Sequence, residues 1–313
     1  MSKSVGEPVL QVSDLTKIYG REFSLGDRNF MGQRVVGAQN VSFSVKKGEI
    51  FGFLGPNGAG KTTTMRAILD YLKIQTGEVT IFGLDHHRDR LAIRKCIGYV
   101  PGDMALFENF TGKELLEYFG KFRPINEDFL NELQANFRVK LEKKIKALST
   151  GNRQQAGLIA ALASKPDLLI LDEPTSGLDP LMTANFHRIL RKLRDEGYTI
   201  FLSSHDLAEV QAVCDRVGII KEGKMILVEA VEDLKAKFMQ KVTVRFNGTS
   251  VPEENDIRQL ETVISVERTK NDTFVLQIKE DVNELIKWLS NYEIKRFTCE
   301  DATLEEIFLH YYE

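Results

Sequence analysis

Gly55-Pro56-Asn57-Gly58-Ala59-Gly60-Lys61-Thr62 decides how the rest of the chain is read. The stretch fits G-x-x-x-x-G-K-[ST], directly after the apolar run Ile50 to Leu54 and ahead of a helical pattern from about Lys61 to Tyr71. In that setting the glycines let the backbone curl until its N–H groups point inward, and the helix N-terminus adds a favourable dipole, so the turn suits phosphate. The chemistry assigns Lys61 to the β- and γ-phosphates of a nucleotide and the Thr62 hydroxyl to Mg²⁺.

Further along, Leu168-Leu169-Ile170-Leu171-Asp172-Glu173 is an apolar run closed by two carboxylates. A buried strand of this kind carries Asp172 to the carboxyl edge of a sheet, beside the phosphate turn. Asp172 can then support the Mg²⁺ shell, and Glu173 can accept a proton from an attacking water or orient it.

Working outward, alternating apolar residues predict antiparallel strands over Val9 to Ile18 and Val41 to Val45, with Gly20 to Arg34 as a polar loop between them. From about Asp103 to Ala163 the periodicity turns helical, over Gly112 to Phe122, Asn126 to Phe137 and Gly151 to Ala163. Short apolar runs at Leu168 to Leu171, Thr199 to Leu202 and Val217 to Ile220 alternate with helical segments, the pattern of a parallel sheet covered on both faces. After about Phe238 the pattern resets. Strands at Val242 to Phe246 and Phe274 to Ile278, with helices at Asn283 to Leu289 and Leu304 to Tyr311, predict a small α+β domain over 239–313, following a first domain over 1–238 with a helical subdomain at about 103–163.

The 313-residue chain has 42% apolar and 28% charged residues, enough to bury a substantial core. A net charge of −3 gives no overall basic field for holding nucleic acid. Cys96, Cys214 and Cys299 are far apart and lack metal-ligand spacing, so they read as reduced packing thiols. No stretch approaches the roughly 18 to 20 apolar residues of a membrane helix, and the start MSKSVGEPVL lacks the apolar core of a signal peptide. If the protein serves a membrane, another chain crosses it.

Together these motifs resemble the nucleotide-binding domains of ABC transporters over about Val9 to Val228. Leu148-Ser149-Thr150-Gly151-Asn152-Arg153-Gln154 is similar to the family signature, Ser176-Gly177-Leu178-Asp179-Pro180 to the loop after the catalytic acid, and Ser203-Ser204-His205-Asp206 to the histidine switch. The resemblance implies an α/β P-loop ATPase fold, a mixed sheet with antiparallel N-terminal strands and a helical insertion, that binds and hydrolyses ATP with Mg²⁺. It implies a head-to-tail homodimer or heterodimer, with the signature of one subunit covering the ATP held by the other.

By position, the resemblance puts Tyr19 on the adenine, Gly55 to Thr63 on the phosphates, Ser149 and Gly151 on the opposing γ-phosphate, and Asp179 at the dimer interface. Thr62 and Asp172 hold the metal, and Glu173, His205 and Lys61 carry the catalysis. Plainer readings of the residues are an edge-strand aromatic for Tyr19, a strand-end histidine for His205 and a turn residue before Pro180 for Asp179.

The chain departs from the family pattern in three places. Gly102 stands where a glutamine follows Tyr-Val-Pro, leaving a metal-shell position to water or to Asp103. Thr150 replaces a glycine of the signature, which points to slow turnover, and the 20–34 segment is longer than the family norm.

The ending Ala302 to Tyr311 is similar to the extension of bacterial drug- and antibiotic-exporter ATPases. That implies a subunit on the cytoplasmic face of the cell membrane, working with a separate permease docked around Gly98 to Phe110. The alternative is a non-transport ATPase of this type acting on nucleic acid or ribosomes. Such relatives carry tandem units, a long coiled coil or zinc ligands, and this chain shows none of these, so no nucleic-acid partner is expected.

Overall fold

Five buried residues in a row, Ile50–Leu54, form a central strand of the main sheet. The computed structural model describes residues 8–20, 22–25, 28–31, 34–237, 240–247, 251–269, 272–278 and 282–300. A strand covered on both faces needs an apolar residue at almost every position, which is why this run lacks the alternation of a half-exposed strand. Parallel to it run Arg216–Lys221 on one side and Thr199–Ser204 on the other, then Leu168–Asp172 and Ile97–Val100. Lys224–Ala230 extends the sheet beyond Arg216–Lys221.

A separate antiparallel sheet has the order Val35–Lys46, Pro8–Tyr19, Thr76–Ile81, Leu84–Asp85. Phe43 joins the two layers. Its ring centroid lies 5.4 Å from each of Phe51, Phe53 and Phe201. Phe51 and Phe53 are two residues apart, so the pleat turns both toward that sheet. This aromatic cluster fixes the base of the strand that feeds the phosphate turn.

Parallel register brings three strand ends level. Ser204 sits beside Leu54, and Ser203 beside Asp172. Backbone bonds continue past the strands, with Gly55 N–H donating to Ser204 O at 3.3 Å and Glu173 N–H to Ser203 O at 3.2 Å.

The helical insertion consists of Gly112–Gly120, Glu127–Asn136 and Thr150–Leu162. Each begins at a side-chain cap. Thr111 and Glu114 make a capping box, Asn126 accepts from Phe129 N–H, and Ser149 accepts from Asn152 N–H.

Several sequence expectations need correction. The Gly20 to Arg34 segment is not simply a loop, because Glu22–Leu25 and Arg28–Met31 pair as antiparallel strands. The Gly26-Asp27 pair in the sequence between them is a two-residue hairpin signal. The helix after the phosphate turn is Lys61–Ile68 and stops short of Tyr71, because Asp70 takes φ +57° and Tyr71 N–H turns back to Arg66 O at 2.8 Å. Of the cysteines, Cys214 is buried and burial pushes its thiol well above the ordinary range, but Cys96 is half-buried and Cys299 exposed. The packing role therefore belongs fully to Cys214 alone.

The chain divides into two compact units, Met1–Val228 and Glu229–Glu313. That division falls ahead of the helix Val231–Lys237, whereas the sequence reading put the boundary after it. In the second unit an antiparallel sheet has the order Val263–Thr269, Thr273–Ile278, Gln240–Phe246, Ile294–Glu300. Val242, Val244, Phe274 and Leu276 form its core with Ile257, Leu285 and Leu289 from two helices. The helix expected over Leu304 to Tyr311 lies outside the described residues.

Phe201 is fully buried within the aromatic cluster. Phe201→Ala is expected to cost about 3 to 5 kcal/mol, read as a lower urea midpoint for the first unit.

Candidate nucleotide-binding and catalytic site

Gly60 closes the phosphate turn at φ +106°, and a Cβ there would meet Gly37 O at 2.2 Å, so only glycine fits. The helix Lys61–Ile68 follows at once. Lys61 Nζ donates to Gly55 O at 2.6 Å and to Pro56 O at 3.1 Å, which tucks the lysine against its own loop. The turn is closed within itself as Ala59 N–H donates to Pro56 O, and braced from outside as Gly223 N–H donates to Ala59 O. Asn57 and Gly58 are exposed at its tip. The Thr62 hydroxyl, at the first turn of the helix, has no hydrogen-bond partner among the described residues.

The acidic pair arrives on the neighbouring strand end but one. Asp172 is buried, and Ser203 Oγ donates to its Oδ1 at 2.6 Å. Its Oδ2 is buried with no partner. An orphaned carboxylate oxygen of that kind calls for a cation or an ordered water. Burial first, and the Asp172 charge second, push the Tyr99 phenol above its usual range.

Glu173 takes φ +46°, a strained value for a side chain with a Cβ, and is held there by Ser203, whose Oγ and O both accept from its N–H, at 3.0 and 3.2 Å. That backbone turn aims the carboxylate across the strand ends. Oε1 lies 3.2 Å from Lys61 Nζ and Oε2 lies 3.2 Å from His205 Nδ1. The structure thus brings Lys61, Asp172, Glu173 and His205 into one constellation.

Tyr19 ends the strand Pro8–Tyr19, and its OH shares a hydrogen bond with Thr63 Oγ1 at 3.3 Å. Its ring is part-exposed beside the start of the phosphate helix. Ser149 and Gly151 are elsewhere, at the start of Thr150–Leu162. The bond from Asn152 N–H into Ser149 Oγ leaves the hydroxyl hydrogen free to donate outward. A Cβ on Gly151 would meet Gly177 O at 2.7 Å, so the signature rests directly on the loop after Glu173. Asp179 caps the helix Pro180–Asp195 by accepting from Met182 N–H at 2.9 Å, with Pro180 at the first helical position.

Gly102, rather than the exposed Asp103, faces the Asp172 carboxylate. A Cβ built on it would lie 3.6 Å from Asp172 Oδ2. Beyond the site, Phe107, Phe110, Tyr118 and Phe122 form an aromatic surface on the helical insertion, with Phe107 48% and Phe122 70% exposed.

Comparison with known proteins gives the family. The ABC transporter family model matches residues 38–176, and the C-terminal domain model of DrrA1-3-like ATP-binding proteins matches residues 230–312. An ABC transporter ATP-binding protein of Methanocaldococcus jannaschii is 32% identical over 309 residues, covering 96% of this chain and all of that one. The chain belongs to the ABC transporter ATP-binding proteins.

The bacitracin transport ATP-binding protein of Bacillus licheniformis is 35% identical, covering 73% of this chain and 72% of its own length. A solved ATP-binding subunit of an ABC transporter superposes with a TM-score of 0.62 at 27% identity, over 72% of this chain and 92% of that one. The protein is therefore an ABC transporter ATP-binding subunit, and the transport reading is favoured over action on nucleic acid or ribosomes. Among the described residues no helix is long and apolar enough to cross a membrane.

Ser203 is the site residue whose role the sequence reading missed. Its hydroxyl links Asp172 to the Glu173 backbone, a connection spanning 31 residues that no local pattern announces. Ser203→Ala is expected to lower stability by about 1 to 3 kcal/mol, because it strips a buried carboxylate of its donor. Thermal denaturation of the nucleotide-free protein measures it.

Proposed function

We propose that two ATP-binding subunits of this type sandwich ATP and Mg²⁺ and hydrolyse the nucleotide to drive a separate membrane permease, in the direction of export. The observation that carries the reading is the contact of Glu173 with both Lys61 and His205 at level strand ends. With ATP bound, Lys61 leaves its loop carbonyls and Glu173 for the β- and γ-phosphates. Glu173, freed of its lysine, orients the attacking water and takes its proton, and His205 donates a hydrogen bond to the γ-phosphate.

The donor set suits Mg²⁺. The Thr62 hydroxyl and the unpartnered Asp172 Oδ2 are hard oxygen ligands, and Mg²⁺ keeps several waters in its shell. The metal would neutralise charge developing on the transferring phosphoryl group. Tyr19 stacks on the adenine. Ser149 and the Gly151 amide, at a helix N-terminus, reach the γ-phosphate held by the second subunit, a homodimer or heterodimer partner. Asp179, fixed by its capping bond, lies on the loop that reports between the two sites.

The first unit, Met1–Val228, acts as the ATPase domain, with about 103–163 as its helical subdomain, and the second, Glu229–Glu313, as a small companion domain. The exposed aromatic surface of the helical insertion suits an apolar partner such as a permease at the cytoplasmic face of the cell membrane. Transport is supported by the bacitracin-transport relative, and the outward direction by one named for linearmycin resistance.

Glu173→Gln is expected to cut steady ATP hydrolysis by about a hundredfold or more while nucleotide binding persists, and undiminished turnover would remove Glu173 from its role. Turnover is slow because Gly102 supplies no ligand and Thr150 adds bulk to the signature. A Cβ at residue 102 comes within 3.3 Å of Asp172 O, which a shift of a few tenths of an ångström relieves. Gly102→Gln should therefore raise kcat about threefold or more and lower the Mg²⁺ concentration for half-maximal activity, by adding one ligand contact. A Mg²⁺ titration of the ATPase reads both.

A further inference from the structure

Strand alternation sends the hydroxyls of Ser203 and Ser204 to opposite faces of the parallel sheet. Ser203 serves the acidic pair. Ser204 Oγ instead donates to Glu209 Oε2 at 2.6 Å and accepts from Asp206 N–H at 2.9 Å. The other carboxylate oxygen of Glu209 lies 3.4 Å from His187 Nε2. Ser204, Glu209 and His187 are all buried. A buried carboxylate is costly unless its neighbours hold it, and the hydrolytic chemistry makes no use of this one.

His205 stands between the two positions that this network anchors. The Ser204 hydroxyl fixes one flank through Glu209 and the other through Asp206 N–H, and Ser204 O also accepts from Gly55 N–H at the start of the phosphate turn. The His205 side chain itself is 54% exposed and faces a cavity of about 540 Å³, so packing does little to orient it. Its direction is set by its backbone together with the 3.2 Å contact of its Nδ1 with Glu173 Oε2. Glu209 lies on the helix Leu207–Val213, and His187 on the helix Pro180–Asp195 that begins at the Asp179 cap.

We propose that Glu209 is a positioning residue for His205, holding Ser204 from behind and tying the switch segment to the helix that Asp179 caps. The inference rests on the reading of His205 as the γ-phosphate contact. Removing the carboxylate lets the Ser204-His205-Asp206 backbone relax, and a displacement of about 1 Å at a catalytic group can cost on the order of a hundredfold in rate.

The test compares Glu209→Leu, Glu209→Gln and Ser204→Ala in steady ATP hydrolysis, with ATP affinity measured by calorimetry and folding by thermal denaturation. Glu209→Leu and Ser204→Ala are expected to lower kcat about tenfold or more with ATP affinity held within about twofold. Glu209→Gln is expected to recover kcat to within about threefold, since the amide oxygen still accepts from Ser204 and the amide nitrogen keeps its place beside His187 Nε2. In a His205→Ala background, Glu209→Leu should reduce kcat no further.

Three results would overturn the inference: an unchanged kcat in Glu209→Leu and Ser204→Ala, a fall in affinity equal to the fall in rate, or additive losses with His205→Ala. If Glu209→Leu does not fold, Ser204→Ala and Glu209→Gln decide alone. A wild-type protein with no ATPase activity would instead sink the hydrolytic reading of the site, a different result from an active wild type indifferent to Glu209.

Discussion

Parallel register between the strands Ile50–Leu54, Thr199–Ser204 and Leu168–Asp172 is the constraint from which the site follows. Parallel strands all point their carboxyl ends the same way, so whatever follows each of them collects along one edge. Here the phosphate turn, the switch histidine and the acidic pair follow. A one-residue slip of the middle strand would exchange the faces of Ser203 and Ser204, taking the hydroxyl away from Asp172 and the other away from Glu209. The register is held from below by Phe43 packed against Phe51, Phe53 and Phe201, and such a slip would turn the Phe201 ring to the wrong face. Apolar packing at one end of the strands thus determines polar geometry at the other.

The site balances its own charges. Lys61 is almost fully buried, a position it keeps because loop carbonyls and Glu173 accept from or pair with its ammonium. Glu173 stands where it can neutralise Lys61 and lies against His205 on its other oxygen. The strained backbone of Glu173 keeps its side chain within reach of both. Asp172 differs from its neighbour, since one oxygen is satisfied by Ser203 and the other is left bare.

What could be read in the sequence follows from how local its cause is. The phosphate turn and the Ile50–Leu54 strand were legible because a glycine pattern and an unbroken apolar run are both written in adjacent residues. The helical insertion was legible from its periodicity. Thr76–Ile81 was not, because TGEVTI exposes half of its residues and owes its strand state to pairing with Pro8–Tyr19, some sixty residues earlier in the chain. The hairpin inside the 20–34 segment escaped for a related reason, as each of its strands has only four residues and pairs with the other alone. The residue types of the site were visible. The bonds that aim them, from Ser203 to Asp172 and from Ser204 to Glu209, come from the sheet register and have no local signature.

The loop from Glu173 to Asp179 is where the acidic pair meets the rest of the first unit. Its Pro174 carbonyl accepts from buried Gln154 Nε2 at 2.9 Å, and its Gly177 carbonyl lies against Gly151, so both contacts run to the helix that the signature begins. At its far end Asp179 caps the helix carrying His187, which returns through Glu209 to the switch segment. Arg123, at the end of the first insertion helix, donates to the carbonyls of Lys95 and Ile97 and so ties the insertion to the strand that leads into Gly102. The signature helix is thereby packed directly on the acid loop through a backbone carbonyl gripped by a buried side chain, a stiffer connection than a surface ion pair supplies.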